Sequence, residues 1–266
     1  MKINHAFLRG AIVSAVVSLG VSALAADIAT IEGQTSGSLV TLDSGPVVTA
    51  ILSAPGTLDG YTYSSYSFLV QDTTGSLDIY GLSSTFGYTP TVGDAITVSG
   101  TFSPYHQIPE IGTVTAASAI SSGNPLPGIT TTTIPIAGAS GTGTLPLSLA
   151  GTLLTIDNVT LYTDSAATIP ASGSFATHAN TTLYMKDTDG NIMELYVWAS
   201  SYSTCGALGG TAIPTESVDV TGFLSQNGTF GPEMTPFSIT EVPEPSTLTL
   251  IGLGVAGLLI NRRRLV

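Results

Sequence analysis

Asp187, Asp189 and Asn191 stand at alternate positions around Gly190, with Glu194 just beyond. Hard cations take carboxylate and amide oxygens, and calcium loops space them this way. The same stretch also reads as a hairpin turn, because aspartate and glycine tolerate the positive φ that tight turns need. Met193 to Trp198 reads as strand, which leaves no room for a full calcium loop and favours the turn. Calcium is the one cofactor the residues point to. Tyr61, Tyr63 and Tyr66 form a second cluster. Aromatic faces can stack on sugar rings, and on strands they also pack across to neighbours.

Little else offers reactive chemistry. Of the three histidines, His5 lies near the N-terminus, leaving His106 and His178 in the body. Neither has the spacing of a zinc site. No Gly-x-Ser-x-Gly elbow is present. Carboxylate pairs for glycoside hydrolysis would have to meet in the fold. The expectation is a protein that is not an enzyme and has no catalytic residues. A sugar-binding or calcium-dependent binding module is the alternative, and a secreted hydrolase the third reading.

Charge narrows the partners. The chain carries 6 basic and 18 acidic residues. Lys2, Arg9, Arg262, Arg263 and Arg264 sit at the ends, so Lys186 is the only basic residue of the body. Nucleic-acid binding rests on basic side chains neutralising phosphates, so no nucleic acid is expected. Anionic polymers would be repelled, whereas calcium and neutral sugars would not. A surplus of negative charge also keeps a protein soluble. Cys205 is the single cysteine, which rules out an intrachain disulfide.

Both ends look like addresses. Lys2 and Arg9 precede an apolar run from Ala11 to Leu24, and Ala23 and Ala25 offer the small residues a signal peptidase reads. Cleavage is expected after Ala25. At the other end, Val242, Pro243, Glu244, Pro245 and Ser246 precede an apolar run, Leu248 to Ile260, and the basic stop Arg262, Arg263 and Arg264. As a helix that run covers about 20 Å of a hydrocarbon core of about 30 Å. The arginines would stay cytoplasmic and the body outside.

This tail resembles the PEP-CTERM family of exported bacterial proteins. The resemblance implies an exosortase-type membrane protease as partner and transient anchoring in the inner membrane. Delivery would be to the cell surface, outer membrane or extracellular matrix of a Gram-negative, exopolysaccharide-making bacterium. Exopolysaccharide is a further implied partner.

Between the ends, threonine, serine, glycine and valine dominate, and branched β-carbons favour strands. Pro46–Ser53, Ser76–Tyr80 and Asp94–Phe102 read as strands, with Asp72–Gly75 as a turn. The pattern recurs further along. Asp187–Gly190 matches Asp72–Gly75, Glu194-Leu-Tyr196 matches Asp78-Ile-Tyr80, and Gly222 falls on Gly100. Repeats of this kind mark duplicated units. Residues 1–25 are expected as signal peptide and 26–122 as the first domain. A linker at 123–133, a second domain at 134–241 and the sorting segment at 242–266 complete the chain.

Five strands per copy fit a small Greek-key barrel of OB type, with a β-sandwich as alternative. Glycines inside the Gly100 and Gly222 strands mark bulges or sharp bends. FLVQDTTGSLDIYG and VGDAITVSGTFSPYHQIPEI resemble the OB-like domain of some exported bacterial nucleases, without the catalytic part. The fold expected is all-β: two tandem five-stranded OB-like barrels, plus an N-terminal signal helix and a C-terminal hydrophobic helix.

Overall fold

The structure is a computed structural model that describes residues 24–58, 61–105, 108–131, 133–135, 144–198, 208–226 and 231–243. The chain opens with β1 (Leu24–Ala26), the short helix α1 (Ile28–Glu32) and β2 (Leu39–Leu42). Next come β3 (Val47–Ser53), the small hairpin β4 (Gly56–Leu58) and β5 (Tyr61–Tyr63), β6 (Ser65–Gln71) and β7 (Ser76–Ser83). The first unit ends with β8 (Ala95–Phe102) and β9 (Glu110–Ser121). The sheet runs β8-β3-β6-β7-β9, and β9 pairs back onto β8. That closes a five-stranded barrel, antiparallel except for the parallel β7–β9 seam.

Alternation explains why these residues form these strands. In β8, Ile96, Val98 and Phe102 are buried among β7's Leu77, Ile79 and Leu82. Successive strand residues face opposite sides, so Thr97 and Ser99 stay outside. Ile28 and Ile31 of α1 enter the same core and are fully buried.

The second unit repeats the plan. It comprises β10 (Ile129–Thr131), β11 (Leu153–Tyr162), β12 (Thr181–Lys186), β13 (Ile192–Val197), β14 (Val218–Gln226) and β15 (Pro232–Glu241). The order is β10-β11-β12-β13-β15-β14, with β11 also paired to β14. Again the sheet closes on itself, and again the one seam inside the ring that runs parallel joins the third strand to the fifth. Closed sheets of this order are OB-like barrels, not the two facing sheets of a sandwich.

Some details differ from the sequence reading. The tyrosine cluster is split at Ser64, with Tyr61 and Tyr63 on β5 and Tyr66 on β6. Within the expected linker, Ile129–Thr131 lies parallel on Leu154–Ile156 of β11. Leu24–Ala26, at the expected signal cleavage point, pairs with Val40–Leu42. The N-terminal signal helix and the C-terminal hydrophobic helix lie outside the described residues.

Gly100 and Gly222 occupy the same place in both barrels. The β8–β9 register shifts between Ser99 and Thr101, and the β14–β15 register shifts between Thr221 and Gly222. A Cβ on Gly100 would fall 2.6 Å from Ile111 Cγ2, and one on Gly222 would strike the Thr235 carbonyl. Both bulges need a residue without a side chain.

The two barrels pack through unlike faces. Ala50, Leu52 and Leu69 of the first bury Phe223 of the second, with Ile108, Trp198 and Phe237 at the margin. Trp198 meets Phe223 edge-on at 5.7 Å, and the Phe237 ring lies tilted 5.5 Å from that of Phe223. Gln71 Oε1 accepts the Leu153 N–H at 2.9 Å inside this contact. Phe223 is 1% exposed. Truncating such a ring costs about 3–5 kcal/mol. Phe223→Ala is therefore expected to lower stability by that order and to split urea unfolding into two transitions, one per barrel, followed by Trp198 fluorescence against far-UV circular dichroism.

Candidate functional site

Backbone demands explain the residues singled out for calcium. Asp187 sits at the tip between β12 and β13 and is 5% exposed. Its Oδ1 accepts the N–H groups of Asp189 at 3.0 Å and Asn191 at 2.8 Å. Its Oδ2 accepts Asn191 Nδ2 at 2.9 Å and the Ile134 N–H at 2.8 Å. A carboxylate has about four lone-pair sites, so this one is filled. Burial alone would raise the Asp187 pKa, but the hydrogen bonds from Asn191, Ile134 and Asp189 outweigh it and hold it below the usual carboxylate range. Asp189 Oδ2 accepts from Thr133 Oγ1 at 2.9 Å. Glu194 has left the turn and stands on β13 opposite Tyr184. Asp187, Asp189 and Asn191 thus belong to a hairpin turn in which the Asp187 oxygens are taken up by amides, while Glu194 stands apart on the strand. Among the described residues no group of three His, Cys, Asp or Glu side chains could hold a metal.

The first barrel uses the same device. Asp72 Oδ1 accepts from Thr74 N at 2.7 Å, Thr74 Oγ1 at 2.6 Å and Gly75 N at 3.1 Å. Its Oδ2 accepts the Ile28 N–H and the Ser44 hydroxyl, each at 3.2 Å. Ile28 is the first residue of α1, 44 positions upstream, and Ile134 lies 53 positions upstream of Asp187. In both copies a turn aspartate ties down the segment that delivers a buried isoleucine to the barrel core.

A second feature unites side chains that sequence reasoning did not pair. Asp78 on β7 lies in register with Glu110 on β9. Glu194 on β13 lies in register with Glu233 on β15. Paired strands run about 4.8 Å apart, so each seam sets two carboxylates side by side. Burial, then the neighbouring Glu110 charge, pushes Asp78 up to about 7 against the opposing hydrogen bond from Ser67. Burial lifts Glu110 to about 7 and also raises Glu194. Glu233 is 5% exposed. Burial pushes it up to about 7, with Ser225 hydrogen bonding opposing and the Glu194 charge adding. In each pair burial holds protons to higher pH than a solvated carboxylate would keep them. The repeat marked Asp78 and Glu194 as equivalent, but their partners depend on a register set 32 and 39 residues downstream.

The remaining candidates scatter. Tyr66 packs against the first core, Tyr63 is half-buried, and Tyr61 pairs with Leu58 in the small hairpin. His178 is exposed in a loop. Ala25 pairs with Thr41. Val242 donates its N–H to the Ser217 carbonyl at 2.9 Å, and Pro243 is the last residue described. Ala23, His106, Cys205, Glu244, Pro245, Ser246 and Arg262, Arg263 and Arg264 lie outside the described residues. Among the described residues no helix is long and apolar enough to cross a membrane.

Residues 241–264 match the PEP-CTERM protein-sorting motif. No curated protein matches the chain. Among solved structures, the p204 HINb domain aligns at 12% identity and TM-score 0.32, over 78% of this chain and 98% of that one. A murine DNA-binding protein bound with double-stranded DNA aligns at 13% identity and TM-score 0.33, over 74% and 99%. Superpositions this loose carry no inference about this chain.

If Asp187 serves backbone amides, Asp187→Ala leaves the Ile134 N–H buried without a partner. The expected loss is about 3 kcal/mol by chemical denaturation, with a similar loss for Asp72→Ala. Millimolar calcium is expected to leave the melting temperature of the wild-type protein unchanged in differential scanning fluorimetry.

Proposed function

We propose that this is an exported protein, trimmed by an exosortase and placed at the cell surface or in an exopolysaccharide matrix, where its two barrels act without catalysis. The observation that carries the reading is the position of the sorting motif. It begins at Glu241, the last residue of β15. A cut at the Pro-Glu-Pro triplet would leave every strand of both barrels intact. Removal of a signal peptide after Ala25 would likewise spare α1 and its buried isoleucines.

The non-catalytic part of the reading rests on how the acids are used. Asp72 and Asp187 are committed to hydrogen bonds that hold the fold. The membrane protease is the implied partner, and the inner membrane is occupied only in transit. With Lys186 as the body's only basic residue, nucleic acid is not a partner on this reading.

Intact-mass spectrometry of the protein recovered from an exosortase-bearing host tests the proposal. The expected species begins at Ala26 and lacks the arginine cluster, and Glu244→Ala retains the tail. A full 266-residue chain recovered from the cytoplasm, or tail removal that persists without the exosortase, would contradict it.

A further inference from the structure

The parallel seam of each barrel is short and built alike. β7 and β9 share two register pairs, Asp78 with Glu110 and Ile79 with Ile111. β13 and β15 also share two, Glu194 with Glu233 and Leu195 with Met234. In each seam the apolar pair faces the core and is fully buried, while the other pair is two carboxylates. Like charges directly opposed across a ladder repel.

The groups around them do not cancel that repulsion. Asp78 meets the Ser67 hydroxyl from β6 and Glu110 from β9. It stands opposite Leu69, where the second barrel brings the rings of Phe223, Trp198 and Phe237. Glu233 meets the Ser225 hydroxyl from β14 and Glu194 from β13. Glu194 faces Tyr184 on β12. Lys186, the body's only cation, sits opposite Ile192 at the far end of that strand pair, a diagonal neighbour of Glu194.

We propose that the two parallel seams are proton-operated latches, shut while each carboxylate pair shares a proton and loosened when it leaves. A protonated carboxyl donates its O–H to the facing carboxylate, turning repulsion into a hydrogen bond. Loss of the proton leaves two anions on a contact only two residues long. Because Asp78 adjoins Leu69 and Glu233 adjoins Ser225 next to Phe223, a loosened seam also disturbs the docking of the barrels.

The direction follows from linkage. These carboxyls hold their protons more tightly folded than unfolded. The stability they contribute is full below the ordinary carboxylate range, near pH 4, and is lost as pH rises through about 7. Urea unfolding of the exported protein should show the folded-to-unfolded ratio falling at least about tenfold between about pH 5 and about pH 8.5. The double variant Asp78→Asn, Glu233→Gln should lose most of that dependence, since both replacements mimic the protonated acid. A flat wild-type profile, or an equal slope in the double variant, overturns the proposal. Should the variant fail to fold, 13C NMR titration of the wild-type side-chain carboxyl carbons decides. At least one member of each pair should titrate near neutrality, and all four titrating in the ordinary carboxylate range overturns the latch.

Discussion

A buried backbone N–H must find an acceptor, and in this protein one aspartate per barrel supplies it for a segment far away in sequence. Five strands cannot fill their own interior. In the first barrel Ile28 and Ile31 enter from α1, and in the second Ile134 enters from the segment before β11. These residues arrive without ladder partners for their leading amides. Asp72 and Asp187 accept those amides from the hairpin between the second and third barrel strands. The plug, the turn and the hairpin are thereby fixed together.

The copies diverge where they meet. The interior plan is the same, down to the bulges at Gly100 and Gly222. The outer faces are complementary: small aliphatic groups at Ala50, Leu52 and Leu69 on one barrel, aromatic rings at Phe223, Phe237 and Trp198 on the other. Aromatic rings supply much buried area per residue and prefer the tilted and edge-on contacts seen here. A left-handed glycine, Gly151, brings the chain against the first barrel, where a side chain would meet Ser76 and Leu69. The two barrels thus form a docked pair and not two beads on a string.

Much of this was legible in the sequence, because the signals were local. Alternating apolar residues located β7, β8 and β13, and the Asp-x-x-Gly turns located both hairpins. Glycine inside a strand located both bulges. The fifth strand of the second barrel, β15, has no such clean signal, since prolines at 232 and 236 argue against a strand. Here Pro232 opens the strand and Pro236 falls at the register shift opposite Gly222, places where a missing N–H is tolerated. The calcium candidates show a different limit. Spacing shows that oxygens converge, but not whether a cation or an amide lies between them. The amide of Ile134 comes from 53 residues upstream. Glu110 and Glu233 were invisible for the same reason, since parallel register is set across the whole barrel. The sorting-motif match starts at Glu241, where the last described strand ends.

Hydrogen exchange at two amides tests the aspartate tie most directly. If Asp72 and Asp187 hold the plugs, the N–H groups of Ile28 and Ile134 should exchange as slowly as amides in the central barrel strands. Exchange of both at the rate of unprotected loop amides, while β6 and β12 stay protected, would show that the isoleucine segments are not tied down and would contradict the account.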